Sequence, residues 1–310
     1  MRILVVGAGA TGGYYGGRLA LAGRSVDFLV RPGRAAVLRE RGLRLVGYGE
    51  PGELRPSLVL PGQLDGPYDL VLLSVKAPAL AGAIADLAPA VGPGTAVLPF
   101  LNGMAHLDAL AKEFGPQAVL GGVVKVLGTL DDTGDVRVLG PLPGGAAATM
   151  TFGELDGGLT PRIELVRREL AVPGFELDVS PDIRTAMWHK WAFISTLGAL
   201  TTLMRGSVGE IASAGGAWLG PAILAEAAAV AEAAGHPLPD ALLVGIAHGL
   251  RSTDSPDTAS LYRDTAAGLP TEAEHILGDL TARARALGVP TPLLDLATLQ
   301  LRVHEGRLAG

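Results

Sequence analysis

The chain has no cysteine, which excludes disulfides, cysteine-ligated zinc, iron–sulfur clusters and thiol catalysis. Asparagine occurs once, at Asn102, and lysine four times against twenty-one arginines. Charged residues make up only 18%, and their balance of −6 gives no general attraction to nucleic acid or anionic membrane. Mean hydropathy is +0.36, yet no apolar run is fit to span a bilayer. Leu87 to Leu107 is uncharged but interrupted by Pro89, Gly92, Pro93, Gly94, Pro99, Asn102 and Gly103, while Trp191 to Met204 is too short. Arg2 and the apolar residues after it look superficially like a leader, but the glycines between Gly7 and Gly16 make a poor hydrophobic segment for one. The six histidines show no metal-ligand spacing; His106, His236, His248 and His304 read as helix-end or exposed residues. These absences imply a cytoplasmic protein with no metal, nucleic-acid or membrane partner. What is present is 310 residues, 48% hydrophobic, enough for about two domains at roughly 150 residues each.

Short β-branched runs at residues 2–6, 26–30, 69–75 and 95–101 alternate with helical patterns at 10–22 and 79–87. That alternation predicts βαβ units and a parallel sheet covered on both faces. From Ala118 to Phe152 the pattern turns β-rich, with turn signals at 131–134 and 143–145, and predicts antiparallel strands completing the sheet. After Pro181 strand patterns give way to Ala-rich helical ones at 183–204, 219–234, 238–250, 256–266, 271–287 and 292–305. The expectation is an α/β protein of two domains, a parallel-sheet domain at 1–180 and an all-α domain at 181–310.

Gly7-Ala8-Gly9-Ala10-Thr11-Gly12 fits the G-x-G-x-x-G pattern. Alone it is weak in a chain with 44 glycines, but it follows a strand, opens a helix and precedes a second strand. Gly7 permits the tight turn, Gly9 admits a pyrophosphate and Gly12 lets helix and strand approach. The anion then sits where unpaired N–H groups and the helix dipole favour it. At the tip of the second strand stands Arg31, with Arg34 three residues on. Asp27 lies too early in the strand to reach a ribose. A cation there favours NADP(H) over NAD(H).

With these segments placed, the chain resembles the ketopantoate reductase (2-dehydropantoate 2-reductase) family over essentially its whole length. The resemblance rests on the glycine segment through Gly16 with Arg31, on Ser74-Val75-Lys76-Ala77, on Asn102-Gly103-Met104, on Trp188-His189-Lys190, and on Ser260, Asp264 and Thr271-Glu272. It implies a Rossmann-type dinucleotide-binding domain at 1–180, a helical substrate and catalytic domain at 181–310, and reduction of ketopantoate to pantoate, as in pantothenate biosynthesis, with Lys190 as general acid. Its apolar setting beside Trp188, Trp191 and Phe193 would depress the ammonium pKa. Glu272 would hydrogen-bond the substrate hydroxyl or that lysine. The Thr271 to Glu274 spacing also fits a capping box, which keeps a purely local role open. Lys76 and Asn102 would contact the nicotinamide ribose and the substrate, although Asn102-Gly103 is also a common turn pair. Ser260 would hold the substrate carboxylate or be an exposed helix serine. His189 and His275, beside Lys190 and Glu272, read as packing or supporting residues. Composition supports two motifs independently: Lys76 and Lys190 use half of the four lysines, and Asn102 is the only asparagine.

One departure stands out. The family helix carrying the lysine usually has amides four and eight residues on, and another near the next turn; here those positions are Ile194, Gly198 and Val208. An apolar pocket discriminates less strongly than one that reads a hydroxyl. A different, more apolar 2-oxo acid is therefore an alternative substrate, and a non-catalytic NADP-binding regulator a further alternative. The Ala-rich helix at 219–234, with Trp218, offers either an interdomain or a homodimer surface.

Overall fold

Four of the five residues of β1 (Arg2–Val6) are buried, and this strand becomes the centre of a sheet in the computed structural model, which describes residues 1–309. Contacts divide the chain into two units: Met1–Leu101 with His106–Arg184, and Asn102–Ala105 with Thr185 onward.

In the first unit β1 is followed by α1 (Ala10–Leu21), β2 (Ser25–Leu29), α2 (Pro32–Arg41), β3 (Leu43–Gly47), β4 (Gly52–Leu54), β5 (Ser57–Val59), β6 (Leu70–Leu73), α3 (Leu80–Leu87) and β7 (Ala96–Pro99). Five strands form one parallel sheet in the order β5-β2-β1-β6-β7, with Ile3 in register with both Val26 and Leu70. Every residue of β6 and β7 is buried, as expected for parallel strands covered on both faces. The core runs through Ile3, Val5, Tyr15, Phe28, Leu72 and Leu98. Gly16 is where α1 comes close to the sheet: a Cβ there would sit 2.7 Å from the Phe28 ring.

The chain continues through α4 (Ala105–Phe114), β8 (Leu120–Val126), β9 (Gly128–Leu130), β10 (Val136–Val138), β11 (Ala148–Glu154), α5 (Pro161–Leu170) and β12 (Glu176–Val179). Antiparallel pairs β8–β11 and β9–β10 form, but they do not extend the five-stranded sheet. They build a three-stranded sheet β12-β11-β8 and a four-stranded sheet β4-β3-β10-β9 instead. A parallel bridge between Val97 and Val119 leads from β7 toward β8. Tyr15 ties these parts together, donating its hydroxyl hydrogen to Thr149 O at 2.6 Å from a fully buried ring. Helices α2, α4 and α5 lie outside the predicted pattern. The sequence of α2 is charge-rich and buries only Ala35 and Leu38, which leaves almost no apolar period to read.

The second unit contains α6 (Ile183–Met204), α7 (Val208–Ile211), α8 (Leu219–Ala233), α9 (Asp240–Gly249), α10 (Ser260–Ala266), α11 (Asp279–Ala286) and α12 (Pro292–Ala309). The helix predicted from residue 256 starts only at Ser260, and the one predicted over 271–287 runs unbroken from Ala273 to Ala286. A π-helical turn, Glu274–Gly278, leads into α11. A true capping box, Ser207 with Glu210, starts α7. Among the described residues no single helix is long and apolar enough to cross a membrane.

Candidate active site

The first unit contributes a cavity of about 330 Å³ at the carboxyl ends of β1, β2 and β6. The glycine segment forms its floor. Gly7 has φ +93°, and a Cβ on it would lie 2.4 Å from Ser74 O. Gly12 packs harder still, 2.0 Å from Gly7 O by the same measure, whereas at Gly9 nothing lies within 4 Å. Two glycines are thus required by packing and one leaves open space for a ligand. Ala8 lines the same cavity, and Gly9 caps α1, whose first residues are Ala10 and Thr11. The N–H groups of that first turn have no partner within the helix and favour an anion.

Three cations line this cavity: Arg31, Arg34 and Lys76. Arg31 is exposed and caps α2. Arg34 is half-buried. Its Nε donates to Ala8 O at 2.8 Å and its Nη1 to Gly134 O at 2.7 Å, while its Nη2 is buried without a protein partner. Burial draws the Arg34 pKa down, with Asp135 opposing, and a guanidinium remains charged nonetheless. Asp27 faces elsewhere and accepts the Tyr68 hydroxyl hydrogen at 2.8 Å. An orphaned guanidinium nitrogen, an open glycine and an N-terminal helix turn in one cavity fit a dinucleotide carrying an extra phosphate. The anchoring of the glycine loop by Arg34 is invisible in the sequence, where Arg34 is only a second cation near the strand tip.

The helical unit holds the other candidates. Lys190 is half-buried and lies two turns inside α6. Its neighbour Trp191 is 1% exposed and donates its indole hydrogen to Ile276 O at 2.9 Å, tying α6 to the π-helical turn. Asn102 is half-buried, and Gly103 after it has φ +76°. A Cβ on Gly103 would lie 2.6 Å from His275 O, so glycine is needed there for both the turn and the close packing. The ring of His275 bonds to the backbone of Asn102 and feels the Glu272 and Asp279 carboxylates. Burial is the dominant influence and holds its pKa below the ordinary 6.5. His275 is therefore the residue that relates Asn102 to Glu272, a role adjacency alone could not reveal.

One expectation needs correction. The capping box from Thr271 to Glu274 does not form: the Thr271 hydroxyl accepts from Ala273 N at 3.2 Å, and Glu274 is forked by Arg302 at 2.5 and 2.8 Å. His106 lies at the start of α4, a helix end as the sequence suggests, and its side chain is fully buried. Ser260 is exposed as the first residue of α10, directly before the buried Leu261. At Gly198 a Cβ would meet Leu261 Cδ1 at 2.8 Å, and Val208 is buried in α7. The space an amide would need at position 198 is filled by a leucine.

Known proteins resemble both units of the chain. A family model described as "Ketopantoate reductase PanE/ApbA" matches residues 3–157, and its C-terminal companion matches residues 182–305. The chain is 32% identical over 308 residues to "Uncharacterized oxidoreductase YkpB" of Bacillus subtilis, covering 98% of this chain and 99% of that protein. It is 26% identical over 328 residues to a 2-dehydropantoate 2-reductase of Mesorhizobium japonicum, covering 97% of each. The crystal structure of 2-dehydropantoate 2-reductase from Geobacter metallireducens superposes with a TM-score of 0.87 at 26% identity, covering 97% of this chain and 99% of the other.

Proposed function

The chain belongs to the ketopantoate reductase family and is thus an oxidoreductase acting on a CH–OH group; on that premise we propose that it reduces a 2-oxo acid with NADPH, with ketopantoate as the first substrate to consider. The observation that carries the cofactor half is the cavity combining the open Gly9 with Arg31, Arg34 and Lys76.

The nicotinamide, when bound, supplies a hydride to C-2 of the oxo acid. The remaining work belongs to side chains of this protein. Lys190 Nζ donates a proton to the C-2 oxygen as negative charge develops there, so that C=O, hydride and proton sum to CH–OH. Glu272 accepts a hydrogen bond from the new hydroxyl or from the lysine. Ser260 holds the substrate carboxylate, Asn102 and Lys76 orient the nicotinamide ribose and substrate, and Arg31 meets the 2′-phosphate. Replacing Lys190 with alanine is expected to lower kcat by about 10²–10⁴-fold, the range typical of a lost general acid. Binding of NADPH, measured by fluorescence titration, should be unchanged. A Lys190→Ala enzyme that keeps normal kcat would remove the assignment.

A second reading, a more apolar 2-oxo acid, is favoured by Leu261 filling the space above Gly198 and by the buried Val208. One missing polar partner in a site that reads a hydroxyl is worth large discrimination, whereas apolar surface separates substrates by only about 1–3 kcal/mol per methylene. Steady-state rates with ketopantoate, 2-oxoisovalerate and phenylpyruvate separate the readings. A kcat/KM highest for ketopantoate supports the first, and a clear preference for an acid lacking the hydroxyl supports the second.

A further inference from the structure

Glu272 lies at the end of the irregular segment after α10, immediately before the helical turn that begins at Ala273. Side chains from the end of α12 hold this segment. Glu305 Oε1 accepts from both the backbone N–H and the hydroxyl of Thr271, each at 2.7 Å. Arg302 forks Glu274, and His304 Nε2 donates to Leu269 O at 2.9 Å. The Thr271 hydroxyl, oriented by Glu305, accepts in turn from Ala273 N. The carbonyl of Glu272 itself accepts from the N–H groups of His275 and Ile276, at 3.1 and 3.0 Å. The backbone on both sides of Glu272 is thereby fixed.

These contacts differ in weight. The Arg302–Glu274 pair is exposed on both sides, at 48% and 61%, and an exposed ion pair contributes little. Thr271 is only 6% exposed, so losing Glu305 would leave its N–H and hydroxyl donors short of a partner in a buried place. We propose that Glu305 is a positioning residue for Glu272, acting through Thr271 to hold that carboxylate where the substrate meets it. The proposal rests on the reading that Glu272 takes part in the reaction.

A double-mutant cycle on the full chain tests it, using Glu305→Ala, Glu305→Gln, Glu272→Gln and the Glu305→Ala/Glu272→Gln pair. Readouts are kcat and KM for the 2-oxo acid, the Kd for NADPH, and amide exchange in the peptide covering residues 269–274. Glu305→Ala is expected to lower kcat about tenfold or more, since misplacement of about 1 Å can cost 10²-fold. It should leave the NADPH Kd unchanged and speed exchange at Thr271. Glu305→Gln keeps an acceptor oxygen and should restore most of the rate. In the Glu272→Gln background Glu305→Ala should cost nothing further, because residues acting through one another are not additive. An equal fractional loss in both backgrounds, or no loss in Glu305→Ala despite faster exchange at Thr271, overturns the proposal alone. Undiminished turnover in Glu272→Gln removes the underlying reading, and the proposal with it.

Discussion

At the scale of single residues, the site depends on side chains that hold backbone as much as on those that meet ligands. Arg34 fixes the carbonyl of Ala8 beneath the cofactor cavity, and His275 fixes Asn102 through its backbone. His275 gives a test through pH. Burial lowers its folded-state pKa, against the pull of Glu272, Asp279 and the Asn102 backbone. Above pH 6.5 the imidazole is neutral in both folded and unfolded chains and contributes no pH dependence. As pH falls below 6.5 the unfolded imidazole takes up a proton first, so stability declines until the folded group titrates too. The limiting slope for one group is about 1.4 kcal/mol per pH unit. The melting temperature of the unaltered chain should therefore fall more steeply between pH 6.5 and 5 than that of His275→Gln. Parallel curves would show that His275 does not cause this pH dependence.

At the scale of elements, several helices begin or end on side chains contributed from far along the sequence. The first turn of α12 is one case. Glu226, on α8, accepts from the N–H of Leu293 through both oxygens at 3.0 and 3.1 Å, and from Leu294 N at 3.0 Å. A carboxylate at a helix N-terminus satisfies orphan donors and complements the dipole. Glu226→Ala is expected to lose about 1–2 kcal/mol, in the range of a lost cap. Glu226→Gln should lose less, because it keeps an acceptor but not the charge. Denaturant titration of both variants checks the order. Since α12 also carries Arg302, His304 and Glu305, its anchoring bears on the Glu272 segment as well as on stability.

At the scale of the whole molecule, the measurable consequence of the cofactor cavity is linkage between binding and folding. A ligand at 100 times its Kd stabilises the state that binds it by about 2.7 kcal/mol. NADPH should accordingly raise the melting temperature of the chain by several degrees, and NADH at equal concentration by less. The NADPH shift should shrink in Arg34→Ala, where the glycine loop loses its anchor at Ala8 O. Equal shifts with both cofactors would count against recognition of a 2′-phosphate by Arg31 and Arg34.

The sequence by itself determined the parallel sheet and the glycine turn. Short apolar runs such as Leu70–Leu73, alternating with helical patterns, read as parallel strands covered on both faces, and Gly7 and Gly12 sit where no Cβ fits. It also marked Lys76, Asn102 and Lys190 through their rarity in this chain. Only the tertiary structure decided that the strands after Ala118 form sheets of their own, and that Asn102 groups with the helical unit. It alone showed that Leu261 fills the space at Gly198, that Arg34 anchors the glycine loop, and that Glu305 grips Thr271. The reason is physical. Periodicity and glycine constraints act between near neighbours and leave a trace in sequence spacing. A hydrogen bond to Glu305 from a residue thirty-four positions earlier leaves none, because its geometry exists only once the chain has folded.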